Sequence, residues 1–222
     1  MSKGFAHLHV HTQYSLLDGA VQPEKLFARC KELGMDSVAM TDHGNIFGAI
    51  DFYTRAKKHG IKPIIGIEAY IAPDSRFEKQ KSSMKEAAYH LILLAENGVG
   101  YRNLMKLSSI GYTEGFYYRP RIDMEILAEL NEGIICTSAC VSGEVARAIA
   151  AGNRDHAKAA VERYLEIFGT DRYFIELQEH PGSDVPDVRG ELIELAREMG
   201  VGVVATNDVH FLMEDDYEAH DA

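Results

Sequence analysis

The chain has 222 residues, 46% hydrophobic and 26% charged, which is enough for one well-filled core with the balance of an ordinary globular protein. A formal net charge of −11 and the lack of any basic block exclude a surface that binds nucleic acid by bulk charge, so a polynucleotide would have to be held by metals or by parts of a larger protein. Met1-Ser2-Lys3-Gly4 leads into a His-rich stretch rather than an apolar signal region, no apolar run reaches membrane length, and three cysteines without framework spacing point to a reducing cytoplasm.

Short apolar runs alternate with amphipathic stretches along the whole chain, the pattern of repeated βα units. Strands are predicted at 5–11, 36–41, 62–71, 90–95, 133–137, 173–178 and 201–206. Between them, Pro23 suits a first helical turn, and Gly34 and Gly60 stand where helices should stop. Leu192, Leu195, Ala196 and Met199 recur at helical spacing up to Gly200. Seven such units without a nucleotide-binding glycine loop favour a (β/α)7 barrel, a short relative of the TIM barrel. Such barrels carry their chemistry at the C-terminal strand ends.

The candidate site residues follow that rule. In Phe5-Ala6-His7-Leu8-His9-Val10-His11, period-two alternation puts three imidazoles on one face, and Asp18 follows in the next turn. The second strand ends in Thr41-Asp42-His43-Gly44-Asn45, where His43 reaches over the mouth and Asp42 either ligates or orients a ligand. Glu68 sits inside an apolar strand, where an unpaired carboxylate needs a cation or a proton. Asp208 and His210 share a face after the last strand. His90 opens its strand rather than ending it, which is the wrong end for a parallel barrel. Cys140 is open between a thiolate ligand and a small buried hydrophobe, Cys136 reads as core, and Cys30 has no partner.

With Leu17-Asp18-Gly19, Gly66-Ile67-Glu68-Ala69-Tyr70 and Ala205-Thr206-Asn207-Asp208-Val209-His210 added, these motifs resemble the polymerase and histidinol phosphatase (PHP) superfamily. Lys62-Pro63-Ile64-Ile65-Gly66 and the run 115–123 point to its polymerase branch, the N-terminal PHP domain of bacterial DNA polymerase III alpha subunits. The resemblance implies a distorted seven-stranded barrel over 1–222, one domain cut from the start of a longer polymerase subunit. It further implies two to three divalent ions held by His9, His11, Asp18, His43, Glu68, His90, Cys140, Asp208 and His210. It thereby decides His90 and Cys140 in favour of ligation.

Imidazoles, carboxylates and one thiolate suit Zn²⁺ and accommodate Mn²⁺ or Fe²⁺. The expected chemistry is phosphoester hydrolysis by metal-bound water, at a DNA 3′ end as a 3′–5′ proofreading exonuclease, with Asp42 and His7 as supporting residues. Arg119 and Arg121 either clamp a phosphate at the mouth or are solvated surface cations, and Tyr117 and Tyr118 either stack on a base or simply pack. His59, His156 and His180 are read as structural. Partners implied are DNA, the rest of the alpha subunit and other replicase subunits, with no membrane. Two competing readings are a small-molecule phosphatase and a metal-stabilised module that binds a separate proofreading subunit.

Overall fold

Helix ends in the chain are set by local chemistry that the sequence spells out. In α1 (Pro23–Glu32), proline opens the first turn and Leu26, Phe27 and Cys30 form the buried stripe. The Asn97 side chain accepts from the Val99 and Gly100 amides to start α4 (Gly98–Thr113), and Asn153 starts α7 (Arg154–Phe168) in the same way. α2 (Ala49–His59) and α8 (Arg189–Met199) end on Gly60 and Gly200, both left-handed. Three shorter helices, α3 (Met84–Ala87), α5 (Met124–Glu129) and α6 (Glu144–Ala150), complete the set. The computed structural model describes residues 4–16, 18–81, 83–179 and 186–217, so Leu17 and His180 lie outside the described residues.

The strands are β1 (Ser37–Met40), β2 (Lys62–Ile71), β3 (Tyr89–Ala95), β4 (Arg121–Ile122), β5 (Ile134–Thr137), β6 (Tyr173–Leu177) and β7 (Gly202–Ala205). Their order is β1-β2-β3-β5-β6-β7, curled into a distorted barrel, with β4 on β2. The long β2 is flanked on one edge by β3, and on the other by β1, then His43, then β4. Three apolar clusters hold this together: a large one that includes Leu93, Leu104, Tyr164 and Leu195, a second around Val10, Phe27 and Phe52, and a small third of Ala39, Ile92, Leu94 and Ala139.

Two features depart from the sequence reading. The run 5–11 is extended but forms no ladder; it makes single bonds to both sides instead. Ala39 N donates to His7 O at 2.9 Å and Thr41 N to Val10 O at 2.8 Å, while Val209 N donates to His9 O at 3.0 Å. It thus closes the barrel between β1 and the segment after β7. The second departure is β3, which runs antiparallel to both β2 and β5. The connection from β2 to β3, residues 72–88, carries only the four-residue α3 and not the long helix that usually packs a parallel crossover back onto a sheet. Reversal brings His90, at the start of β3, to the mouth.

Candidate metal centre

Three overlapping groups of side chains meet at the mouth: His11, Asp18, His43 and His210; His9, His11 and Asp208; and His43, Glu68 and His90. Within each group the nearest ligand atoms all lie within 4.8 Å of one another. Cys140 joins them, its Sγ 3.7 Å from Glu68 Oε1 and 3.7 Å from His90 Nδ1. All nine residues that the resemblance named are therefore brought together. Two non-glycine residues at this rim, Ala139 and Asp208, adopt positive φ (59° and 49°), a local strain that clusters at functional sites.

The surrounding hydrogen bonds fix which nitrogens carry protons. His9 Nδ1 is 2.7 Å from Glu176 Oε1, so it must donate, which makes Nε2 the nitrogen that faces the cluster and the one a cation would take. The Ser15 hydroxyl donates to Asp42 Oδ1 and accepts from His11 Nδ1 at 2.9 Å, which turns the His11 Nε2 lone pair toward the cluster as well. These two Nε2 atoms face each other at 3.1 Å, and Asp208 Oδ1 completes the triangle at 3.1 and 3.2 Å. Ligands about 2.0 Å from one tetrahedral ion stand about 3.3 Å apart, so the triangle fits a cation at its centre. Asp18 Oδ1, His43 Nδ1, Glu68 Oε2 and Asp208 Oδ1 are buried without a hydrogen-bond partner. His43 Nδ1 and Glu68 Oε2 are only 2.5 Å apart, yet their geometry is not that of a hydrogen bond. Their lone pairs converge on a shared point, and the donor set fits divalent ions.

The electrostatics show the same demand for positive charge. Burial opposes ionisation throughout, yet the carboxylates overcome it at two imidazoles. Asp208, Glu176 and Glu68 carry His9 well above its usual pKa, and Glu68 with Asp18 carries His43 to about 10. Glu68, also buried, is held far below the usual carboxylate range by His90, His43 and His9. His11, where burial dominates, falls to about 4. The Cys140 thiol is pushed up by burial and by Glu68 and Asp208, a state that a nearby cation would reverse.

Asp42 is not in the metal groups. It is fully buried and accepts from the Thr12 amide at 2.6 Å, the Thr12 hydroxyl at 2.9 Å and Ser15, so it shapes the turn that orients His11. His7 is in none of the metal groups, and its ring meets Phe5 edge-on at 4.9 Å. Arg119 lies over the Tyr70 ring at 5.5 Å, and Tyr70 stacks on His43 at 5.8 Å, which puts Arg119 at the rim.

Arg121 corrects the sequence reading, because it is neither a phosphate clamp nor a surface cation. It is completely buried and spends four of its five N–H donors on the carbonyls of Gly115, Ala87, Arg76 and Glu78, so it is not exposed to take a phosphate at the mouth. Tyr117 packs beside it and donates to Lys81 O at 2.6 Å. His59 and His156 pair with Glu24 and Glu144 on helix surfaces.

Sequence reasoning missed Glu176. This buried carboxylate on β6 accepts from His9, Thr137, Thr206 and Gln178. The signal was the one that singled out Glu68: a carboxylate inside an apolar strand.

A curled α/β sheet whose mouth gathers imidazoles, carboxylates and a thiol is the architecture of a divalent-cation site. The chain belongs to the PHP domain family, whose model matches residues 7–180. Over 217 residues it is 50% identical to DNA polymerase III subunit alpha of Borreliella burgdorferi, which covers 98% of this chain and 19% of that one. The same-named subunit of Thermus aquaticus is 47% identical over 220 residues, covering 98% and 18%. The chain thus spans about a fifth of the length of these relatives. Among solved structures, a candidate metal-dependent phosphoesterase from Bifidobacterium adolescentis matches 94% of this chain and 88% of its own, with a TM-score of 0.57 at 13% identity. An amidohydrolase from Chromobacterium violaceum reaches a TM-score of 0.59 at 13% identity over 92% and 87%. At such identities the likeness shows the fold alone. No helix among the described residues is long and apolar enough to cross a membrane.

Proposed function

We propose that the mouth hydrolyses phosphate esters with divalent metals and that, within a cytoplasmic replicase subunit, it trims DNA 3′ ends as a 3′–5′ exonuclease. The observation that carries this is the triangle of His9 Nε2, His11 Nε2 and Asp208 Oδ1, three ligand-capable atoms set 3.1–3.2 Å apart in a buried site. His9, His11, Asp18, His43, Glu68, His90, Cys140, Asp208 and His210 would hold two to three ions. Zn²⁺ suits that mixture best, with Mn²⁺ or Fe²⁺ accepted. When bound, such ions supply Lewis acidity and make water acidic enough to attack phosphorus at neutral pH. The chain's own residues do the rest. Glu176 fixes the His9 tautomer, Asp42 holds the turn behind His11, and Arg119 offers a guanidinium to a phosphate at the rim.

The test is metal content of protein purified without chelators, paired with cleavage of a 3′-labelled single strand by the wild type and by Asp208→Asn. Two or three ions per chain, with cleavage that both chelation and the variant abolish, is the expected result. A full metal complement without cleavage by the domain or by its longer subunit would overturn the exonuclease reading and leave a metal-stabilised module.

A further inference from the structure

On a chain of net charge −11, one face gathers unpaired cations among exposed rings. It is built from α2 and α4, and from the residues just before α2 and just after α4. Phe47, Ile50 and Tyr53 recur at i, i+3 and i+6 and are 58%, 71% and 50% exposed. Across from them stand Tyr112, 39% exposed, and Phe116, 51% exposed. Phe47 and Tyr112 have their ring centres 5.7 Å apart and inclined by 36°, and Tyr112 and Phe116 stack at 6.2 Å and 28°. Scattered exposed apolar residues are normal on a soluble protein, but a contiguous run of large rings marks a binding surface.

Three cations lie among the rings of this face. The Lys57 ammonium lies 5.8 Å over Tyr53, on the same stripe of α2. Arg102 and Lys106 are exposed on α4, and among the described residues neither they nor Lys57 pair with a carboxylate. Arg154 and Lys158 on α7, by contrast, both pair with Glu198. The acids near the face do not neutralise it, because Asp51 is taken by Arg55 and Glu114 by Arg76. Glu96 stands at the far end, beside the start of α4 and away from the mouth.

This face runs into the rim of the metal centre. A side chain at Gly44 would fall 2.7 Å from Pro120 and 3.0 Å from the Tyr70 ring, and one at Gly111 would fall 3.2 Å from Pro120. The loop after β1, the end of α4 and the Tyr70 ring therefore share one wall through Pro120. Its inner side is Tyr70 stacked on His43, with Arg119 over the Tyr70 ring. Outside it lie Tyr112 and Phe47.

We propose that the α2–α4 face is a docking track for a single-stranded polynucleotide, with bases stacked on Phe47, Tyr112 and Phe116 and phosphates drawn to Lys57, Arg102 and Lys106. The inference rests on the phosphoesterase reading of the mouth, toward which the track would lead the strand end. A protein helix seated on the same face could cover the rings, but it would need acidic side chains placed over all three cations. A single strand offers π faces and regularly spaced anions together, so it meets both features.

The test is fluorescence anisotropy of a 5′-labelled oligothymidylate of roughly 12 nucleotides, phosphorothioate-linked to resist cleavage, titrated with the chain at several salt concentrations. Phe116→Ser and Tyr112→Ser should each weaken binding about 10-fold, and Phe116→Trp should restore it. Arg102→Glu with Lys106→Glu should weaken binding and flatten its salt dependence by about 0.7 per lost phosphate contact. Arg154→Glu with Lys158→Glu, the same charge change on α7, should leave it intact. Oligonucleotide affinity indifferent to the α2–α4 variants, in chains that melt like the wild type, overturns the proposal and assigns the face to a protein partner. Wild-type hydrolysis of bis(4-nitrophenyl) phosphate reads the mouth separately. Hydrolysis without face-dependent binding removes the track alone, whereas face-dependent binding without hydrolysis supports the track and removes the phosphoesterase reading.

Discussion

Around Arg121 the chain answers a buried charge entirely from its own backbone; around Glu68 it does not. The Arg121 guanidinium meets four carbonyls at 2.7–3.2 Å, and the approach of Gly115 is possible only because it has no Cβ, which would fall 1.8 Å from Arg121 O. At the mouth, buried oxygens and nitrogens of Asp18, His43, Glu68 and Asp208 have no partner and point at one another. An unsatisfied buried polar atom costs about 1–3 kcal/mol. A fold keeps several of them in one place only where something outside the chain satisfies them. A satisfied buried charge is a structural part, and an unsatisfied convergent group is a site.

The largest expected effect breaks the satisfied half. Arg121→Met removes the guanidinium and leaves its carbonyl partners buried, so stability should fall by about 3 kcal/mol or more in denaturant titration. In a chain of this size that lowers Tm by roughly 6–12 °C. Metal stoichiometry of the folded fraction should not change. A variant with wild-type stability and a raised KM would return Arg121 to phosphate binding.

Within the unsatisfied half, Glu176→Gln keeps volume and hydrogen bonding but removes the charge that holds the His9 Nδ1 proton. Metal affinity should drop about 10–100-fold, or about 1.4–2.7 kcal/mol, in competition with a chromophoric chelator. Unchanged affinity would reduce Glu176 to a core hydrogen-bond hub.

The pH dependence follows from the same charges. Burial alone would lower His43, but Glu68 and Asp18 raise it to about 10 in the folded chain, against about 6.5 unfolded. A raised imidazole stabilises the metal-free fold fully below about 6.5, and that contribution is lost as pH climbs through about 10. Cations that replace those protons do not leave as pH rises. The gap in Tm between zinc-loaded and chelated protein should therefore widen from pH 6.5 upward, and metal uptake in weak buffer should release protons. A gap that narrows with pH would contradict this charge assignment.

Much of the site was legible because strand ends advertise it. Period two placed His9 and His11 together, and a lone carboxylate in an apolar run marked Glu68. The remainder depends on topology, which spacing does not encode. His90 looked misplaced until β3 was seen to run backward, and Cys140 came near the mouth beside it. Glu176 carried the Glu68 signal, but spacing alone does not tell that its strand lies beside His9. The α2–α4 face was hidden because its rings and cations are scattered over 47–116 and meet only where both helices pack onto β2.

The smallest expected effect concerns Arg119, two residues from Arg121 and opposite to it in fate. Pro120 separates them, and only Arg121 enters β4 and the interior, where its backbone pairs with β2 at Tyr70. Arg119 stays half-buried at the rim, where its guanidinium touches Met84 Sδ at 3.2 Å and covers the Tyr70 ring. Neither contact consumes its charge, and among the described residues no carboxylate pairs with it. Arg119→Ala should therefore raise KM for a phosphodiester about 10-fold, the scale of one charge-assisted hydrogen bond, with kcat and Tm nearly unchanged. Arg119→Lys should recover part of that loss, since it keeps the charge but not the fork. If Arg119→Ala instead lowered Tm as Arg121→Met does, both arginines would be structural, and the distinction between satisfied and unsatisfied charge would fail at the rim.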